Sequence, residues 1–140
     1  MTETTKRLKR ILVVDDEPDI RAYLARLFQD NGYEASSAAD GVEALDAVRK
    51  QRPDLITLDL SMPNKSGVGF YREIRSAPDY GGIPVVFVTA VTGFGGDSGA
   101  AERFYSSRRQ VPPPDGFVAK PVDPDEMLQL VRRLIAGEKA

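Results

Sequence analysis

Three apolar runs of strand length, "ILVV" (11–14), "LITL" (55–58) and "VVFV" (85–88), alternate with segments whose apolar residues recur every three or four positions. A strand that is apolar at every position is buried on both faces, and a parallel sheet with helices on both sides provides that burial. Two weaker strand candidates complete the series. "YEASSA" (33–38) is more polar and "GFVAK" (116–120) is shorter, which suits the edges of a sheet. The helical segments between them carry Ile20, Tyr23, Leu24, Leu27 and Phe28, then Val42, Leu45 and Val48, then Phe70, Tyr71 and Ile74. Gly32 is placed to stop the first helix and Pro53 to end the second. The final helix is marked most clearly. Asp123 stands at its N-cap, Pro124 at its first position and Glu126 three residues after the cap, ahead of Met127, Leu128, Val131, Leu134 and Ile135.

This alternation predicts an α/β fold: a doubly wound, five-stranded parallel sheet in the order 2-1-3-4-5, with helices on both faces. The segment 91–115 fits least well. It holds four glycines, a short helical candidate over 100–109 and the run Pro112–Pro114. The fourth helix of the alternation is therefore expected to be atypical.

In open α/β sheets, ligands bind beyond the carboxyl ends of the strands, where the strand order reverses. The residues that leave each strand are Asp15 and Asp16 after the first, Asp59 after the third, Thr89 after the fourth and Lys120 after the fifth. Taken singly, each has a bland explanation. Asp16 can serve as a helix N-cap, Thr89 as a β-favouring residue and Lys120 as a solvated charge. Taken together, they put three carboxylates, a hydroxyl and an ammonium on one edge. Clustered carboxylates oppose each other's ionisation unless a cation lies among them.

The chain has no cysteine and no histidine, so thiolate and imidazole chemistry are excluded. With oxygen ligands only, the expected ion is hard: Mg²⁺, or Mn²⁺ or Ca²⁺. A net charge of −2 argues against a dedicated nucleic-acid surface. Lys6, Arg7, Lys9 and Arg10 read as a solvated, frayed N-terminus. No apolar run approaches the roughly 18 residues of a membrane span, and the N-terminus lacks a signal-peptide core, so a cytoplasmic location is the default expectation.

The loop "DLSMPNKSG" (59–67) adds a more specific pattern, with Met-Pro three and four positions after Asp59 and Ser-Gly seven and eight after it. With "DD" at 15–16, the threonine after "VVFV" and "KP" at 120–121, it resembles the receiver domain of two-component response regulators, chemotaxis-regulator-like and flavodoxin-like in fold. The resemblance runs from about Arg10 to Ile135. It implies a tail over 1–9, a receiver domain over 10–136 and a tail over 137–140.

By that resemblance, Asp59 accepts a phosphoryl group from a phosphohistidine on a histidine kinase or histidine phosphotransfer protein. Asp16, Asp59 and the backbone carbonyl of Ser61 ligate Mg²⁺ (Mn²⁺ as a substitute), and Asp15 acts on the metal through water. Thr89 and Lys120 contact the phosphoryl oxygens. Thr89 and Phe117 act as the switch, although Phe117 has no hydroxyl to bond when turned inward and can equally be a plain packing residue. The Lys120–Pro121 peptide is expected to be cis.

The implied role is phosphorelay signalling by a stand-alone, monomeric or weakly dimeric domain that is not a turnover enzyme. It would act on a downstream protein target, without direct contact to nucleic acid or membrane. A receiver fragment of a larger DNA-binding regulator or hybrid kinase stays open. An aspartyl-phosphate phosphatase would want an aspartate where Ser61 stands. A flavodoxin would want a Ser/Thr/Gly-rich loop where "DDEPD" stands.

The separation between Thr89 and Lys120 exceeds the family pattern by several residues, all within the Gly/Pro-rich stretch. This sets the usual fourth-helix output face, and dimerisation through it, apart from expectation. Ser61 and Val91 occupy positions that tune dephosphorylation in the family, and neither can orient a water well. The phosphoryl group is therefore expected to be long-lived. Following loss of radiolabelled phosphate tests this, and a lifetime of seconds overturns it.

Overall fold

Each of the five strand candidates forms a strand in the computed structural model, which describes residues 8–59, 66–90 and 114–137. The strands are β1 (Arg10–Val14), β2 (Glu34–Ala38), β3 (Leu55–Asp59), β4 (Val85–Ala90) and β5 (Gly116–Lys120). Among the described residues the helices are α1 (Pro18–Asp30), α2 (Gly41–Lys50), α3 (Ser66–Ser76) and α4 (Pro124–Ile135). The sheet order is β2-β1-β3-β4-β5, and every adjacent pair is parallel. The two weaker strands do take the edges. The helical candidate at 100–109 lies outside the described residues, as do Ser61 and Val91.

Alternation along the central strands divides the core in two. Leu12, Val14, Ile56, Leu58, Val85 and Phe87 face Ala44 and Val48 of α2 and Phe70, Tyr71 and Ile74 of α3. Ile11, Val13, Val86, Val88 and Val118 face Leu24 and Phe28 of α1 and Met127, Leu130, Val131 and Leu134 of α4. Two-sided burial explains the apolar runs within β1, β3 (Thr57 apart) and β4, whereas the edge strand β2 can carry Ser36 and Ser37.

Several expectations need correction. Val42 is 78% exposed, and Ala44 takes the inward position instead. The three-residue step from Val42 to Leu45 matches helical periodicity, but the rotation of α2 is set by the smaller Ala44 packing close to the sheet. Leu130 is buried where the reading of the final helix passed over it. Arg10 is no part of a frayed end: it opens β1, its backbone N–H donates to Asp54 Oδ2 (2.8 Å), and its Nε donates to Glu34 Oε1 (3.0 Å).

Helix ends follow the local chemistry. Gly32, just beyond α1, has φ +90°, a backbone conformation that disfavours side chains. At α4 the Asp123 side chain accepts from the backbone N–H of Asp125 (2.9 Å) and Glu126 (3.4 Å), with Pro124 supplying a pre-set first residue. Replacing Asp123 by Ala is expected to destabilise the fold by about 1 kcal/mol. Urea unfolding checks this as a lowered midpoint with an unchanged slope, and Asp123→Asn should stay near wild type.

Candidate functional site at the carboxyl edge of the sheet

β1 and β3 are neighbours, so the residues leaving them meet at one edge. Asp15 follows β1, and its backbone N–H still donates to Ala38 O (3.1 Å), which continues the ladder one residue past the strand. Asp59 ends β3 opposite Val88. Both carboxylates are almost fully buried, each 1% exposed. Asp16 is exposed, yet its carboxylate comes within 4.8 Å of those of Asp15 and Asp59. Asp16 does not cap α1: the N-cap is Glu17, with no side-chain capping bond.

Lys120 reaches this cluster from the opposite edge strand. Its Nζ lies 3.2 Å from Asp15 Oδ2, 3.3 Å from Glu17 Oε1 and 3.4 Å from Asp59 Oδ2. These distances are longer than the best charge-assisted hydrogen bonds, as expected when one ammonium is shared among several carboxylates. The backbone of Lys120 is held on both sides. It pairs with Ala90 in the sheet, and α4 begins a few residues later, past a cis Lys120–Pro121 peptide. Thr89 lies on β4 beside Ala119 and is half-buried, at the same edge. Phe117 points further out, 43% exposed, with its ring against Phe87.

Two residues at this edge escaped the sequence reading. Glu17 shares the ammonium, and Arg21 Nη1 donates to the backbone carbonyl of Asp15 (2.8 Å). Glu17 also donates its N–H to Asp15 Oδ1 (2.9 Å), so the turn after β1 is folded around Asp15. A basic residue in the second turn of the helix was the available signal for Arg21.

Electrostatics follow from this crowding. Burial pushes the Asp15 carboxyl up to about 6, and the neighbouring Asp59 adds to the rise. The bond from Glu17 N–H and the Lys120 ammonium oppose it. Burial alone would lower the pKa of Lys120, but the Asp59 and Asp15 carboxylates outweigh it and hold the ammonium above its ordinary value. Three clustered carboxylates, with Glu17 also drawing on the one ammonium, leave a deficit of positive charge that a divalent cation would offset. An oxygen-only donor set of this kind fits a hard ion such as Mg²⁺.

The chain matches the response regulator receiver domain over residues 11–132. It belongs to that family. It is 40% identical to Protein Rrf1 of Nitratidesulfovibrio vulgaris, over 91% of this chain and 83% of that protein. It is 36% identical to the DNA-binding response regulator MtrA of Mycolicibacterium smegmatis, over 89% of this chain but only 49% of that protein. Chemotaxis protein CheY4 of Vibrio cholerae superposes with a TM-score of 0.77 at 30% identity, covering 91% of this chain and 98% of that one. The receiver-domain resemblance and the flavodoxin-like order of the sheet are thereby established. Receiver domains bind Mg²⁺ at an acidic aspartate cluster, and Asp15, Asp16 and Asp59 form such a cluster here.

The position of the Asp15 pKa has a consequence for stability. In metal-free protein the folded state holds this proton more tightly than the unfolded chain, whose ordinary value is 3.8. The resulting stabilisation is complete below that value and is lost as pH rises through about 6. Asp15→Asn is therefore expected to raise stability in EDTA at neutral pH by roughly 1–3 kcal/mol, and to flatten the decline between mildly acidic and neutral pH. Urea midpoints across that range check it; a lower midpoint for Asp15→Asn at neutral pH refutes it.

Proposed function

We propose that this receiver domain, spanning residues 10–136, accepts a phosphoryl group on Asp59 from the phosphohistidine of a histidine kinase or histidine phosphotransfer protein. It then changes a surface read by a downstream protein in the cytoplasm. The observation that carries the reading is the buried Asp59 carboxylate with Lys120 Nζ at 3.4 Å, beside two further carboxylates at the point where the strand order reverses.

The chemistry asks for little proton transfer. An Asp59 oxygen forms a bond to phosphorus as the phosphorus–nitrogen bond of the donor breaks, and the electron pair leaves with the imidazole. Lys120 turns from its carboxylate partners towards a phosphoryl oxygen, and the Thr89 hydroxyl donates to another. Asp16, Asp59 and the Ser61 carbonyl would hold Mg²⁺ or Mn²⁺, with Asp15 acting through water. The ion, when bound, neutralises charge spread over the transferring group. Drawing Thr89 inward frees space that the Phe117 ring fills, and that movement is the signal. Water later hydrolyses the aspartyl phosphate, so the domain undergoes a slow cycle on itself and is no turnover enzyme. It acts as a monomer or weak dimer, without direct nucleic-acid or membrane contact. No described helix is long and apolar enough to cross a membrane.

Incubation with acetyl phosphate and Mg²⁺, followed by intact mass, tests the reading. Wild type is expected to gain one phosphoryl group and Asp59→Asn none. Lys120→Ala should slow the gain on the order of 10²-fold. Asp16→Ala should be impaired at least as severely as Asp15→Ala. An undiminished adduct on Asp59→Asn refutes the assignment.

A further inference from the structure

A column of side chains runs from the exposed ring of Phe117 through the core to Arg75 in the last turn of α3. The Phe117 ring meets Phe87 edge to face, with centroids 5.8 Å apart. Phe87 meets Tyr71 in the same manner at 4.8 Å. The Tyr71 hydroxyl accepts a hydrogen bond from Arg75 Nε (3.1 Å), and the guanidinium carbon lies 5.1 Å from the centre of the Tyr71 ring. Phe87 and Tyr71 are fully buried, whereas Phe117 is the exposed member of the column.

Arg75 fastens the other end. Its side chain is 7% exposed, and three more of its donors go to Asp115 Oδ2 (2.6 Å), Gly81 O (3.0 Å) and Ile83 O (2.8 Å). The same Asp115 oxygen accepts from Val85 N–H (2.8 Å), and Asp115 N–H donates to Val85 O (2.8 Å). Asp115 thus closes the ladder where β4 and β5 begin, two residues before Phe117. A planar guanidinium with four such acceptors has one geometry open to it. The turn between α3 and β4, residues 77–83, is tied to it through two carbonyls.

We propose that this column carries the phosphorylation state of Asp59 from Phe117 to the α3–β4 turn, which makes residues 77–83 a second state-dependent surface. Arg75 and Asp115 are positioning residues in this scheme. The proposal rests on the switch role of Phe117 given above. When the ring turns inward, Phe87 loses its edge-to-face neighbour. A close-packed core answers such a change by shifting between discrete arrangements. Tyr71 is the next member to shift, and its hydroxyl passes the displacement to the guanidinium that holds Gly81 and Ile83. Asp115 keeps the β5 backbone fixed meanwhile, so that movement of Phe117 is a rotation of its ring and not a slip of the strand.

The test uses the full chain labelled with 3-fluorotyrosine, with beryllofluoride and Mg²⁺ forming the phosphoryl analogue. The Tyr71 resonance is assigned with Tyr71→Phe, and amide exchange is followed over 77–83. Wild type is expected to show a shifted Tyr71 resonance and altered exchange in the turn when the adduct forms. Phe87→Leu, which fills the core but removes both ring contacts, should form the adduct and lose both responses. Arg75→Lys, which keeps the charge but cannot bridge four acceptors, should keep the Tyr71 shift and lose the exchange response. Adduct formation without a Tyr71 shift in wild type, or an unaltered response in Phe87→Leu, overturns the proposal. Bound fluoride signals report the adduct separately, so a wild type that forms none refutes the phosphoacceptor reading itself, and this proposal with it.

Discussion

One ammonium shared among carboxylates governs the carboxyl edge of this sheet. β1 and β3 must be neighbours for the doubly wound order to exist, and that adjacency brings Asp15 and Asp59 together in a nearly dry setting. Two buried carboxylates cannot both ionise at low cost without a cation. Lys120 supplies that cation from the far edge strand, so β5 must pair correctly with β4 for the charge to arrive at all. Burial, with the neighbouring Asp59 adding to it, still holds the Asp15 carboxyl above its ordinary value despite that ammonium. Local rules of core design are broken at this edge and nowhere else among the described buried residues, apart from Thr57 within β3. Such a concentration of frustration is what a candidate functional site is expected to show.

The rest of the fold serves to hold that edge. The two helical layers bury the central strands on both faces, so their ends are fixed relative to one another within the tolerance of a packed core. The capped start of α4 sits directly after Lys120, so the segment that delivers the ammonium is bounded by sheet pairing on one side and a capped helix on the other. Gly116 shows how closely α4 lies on β5, since a Cβ there would come within 2.8 Å of Leu130 Cδ2.

The strands, their order and the clustering of Asp15, Asp16 and Asp59 were legible because they depend on short-range patterns. Uniformly apolar runs report two-sided burial, and Asp-Pro at 123–124 reports a helix start. Two kinds of information were not legible. The rotation of α2 depends on how near it can approach the sheet, so Ala44 displaced Val42 from the inward position although both satisfy the period. Arg10 looked like part of a basic tail because its partners, Glu34 and Asp54, lie on other elements. Arg75 makes the same point: its Asp115 partner stands forty positions away, and its other acceptors are backbone carbonyls that no residue type announces.

Two largely covered cations among the described residues, Arg75 and Lys120, illustrate opposite uses of charge. Arg75 meets a carboxylate, a phenol and two carbonyls in a fixed fork, so four of its five N–H donors are committed and the group is built to hold. Lys120 is a compact charge on a flexible stem, set at ion-pair distance from three carboxylates and tightly bonded to none of them. Exchanging one anionic partner for another requires of it only a rotation of the stem. On the proposed chemistry that exchange is the event the site exists for, since the oxygen Lys120 must meet arrives on Asp59 itself. An arginine at position 120 would match a carboxylate more tightly but would have to give up a bidentate geometry to meet a phosphoryl oxygen. The deficit of positive charge around Lys120 therefore belongs to the design: a fully satisfied cluster would have no reason to accept either a divalent ion or a phosphoryl group.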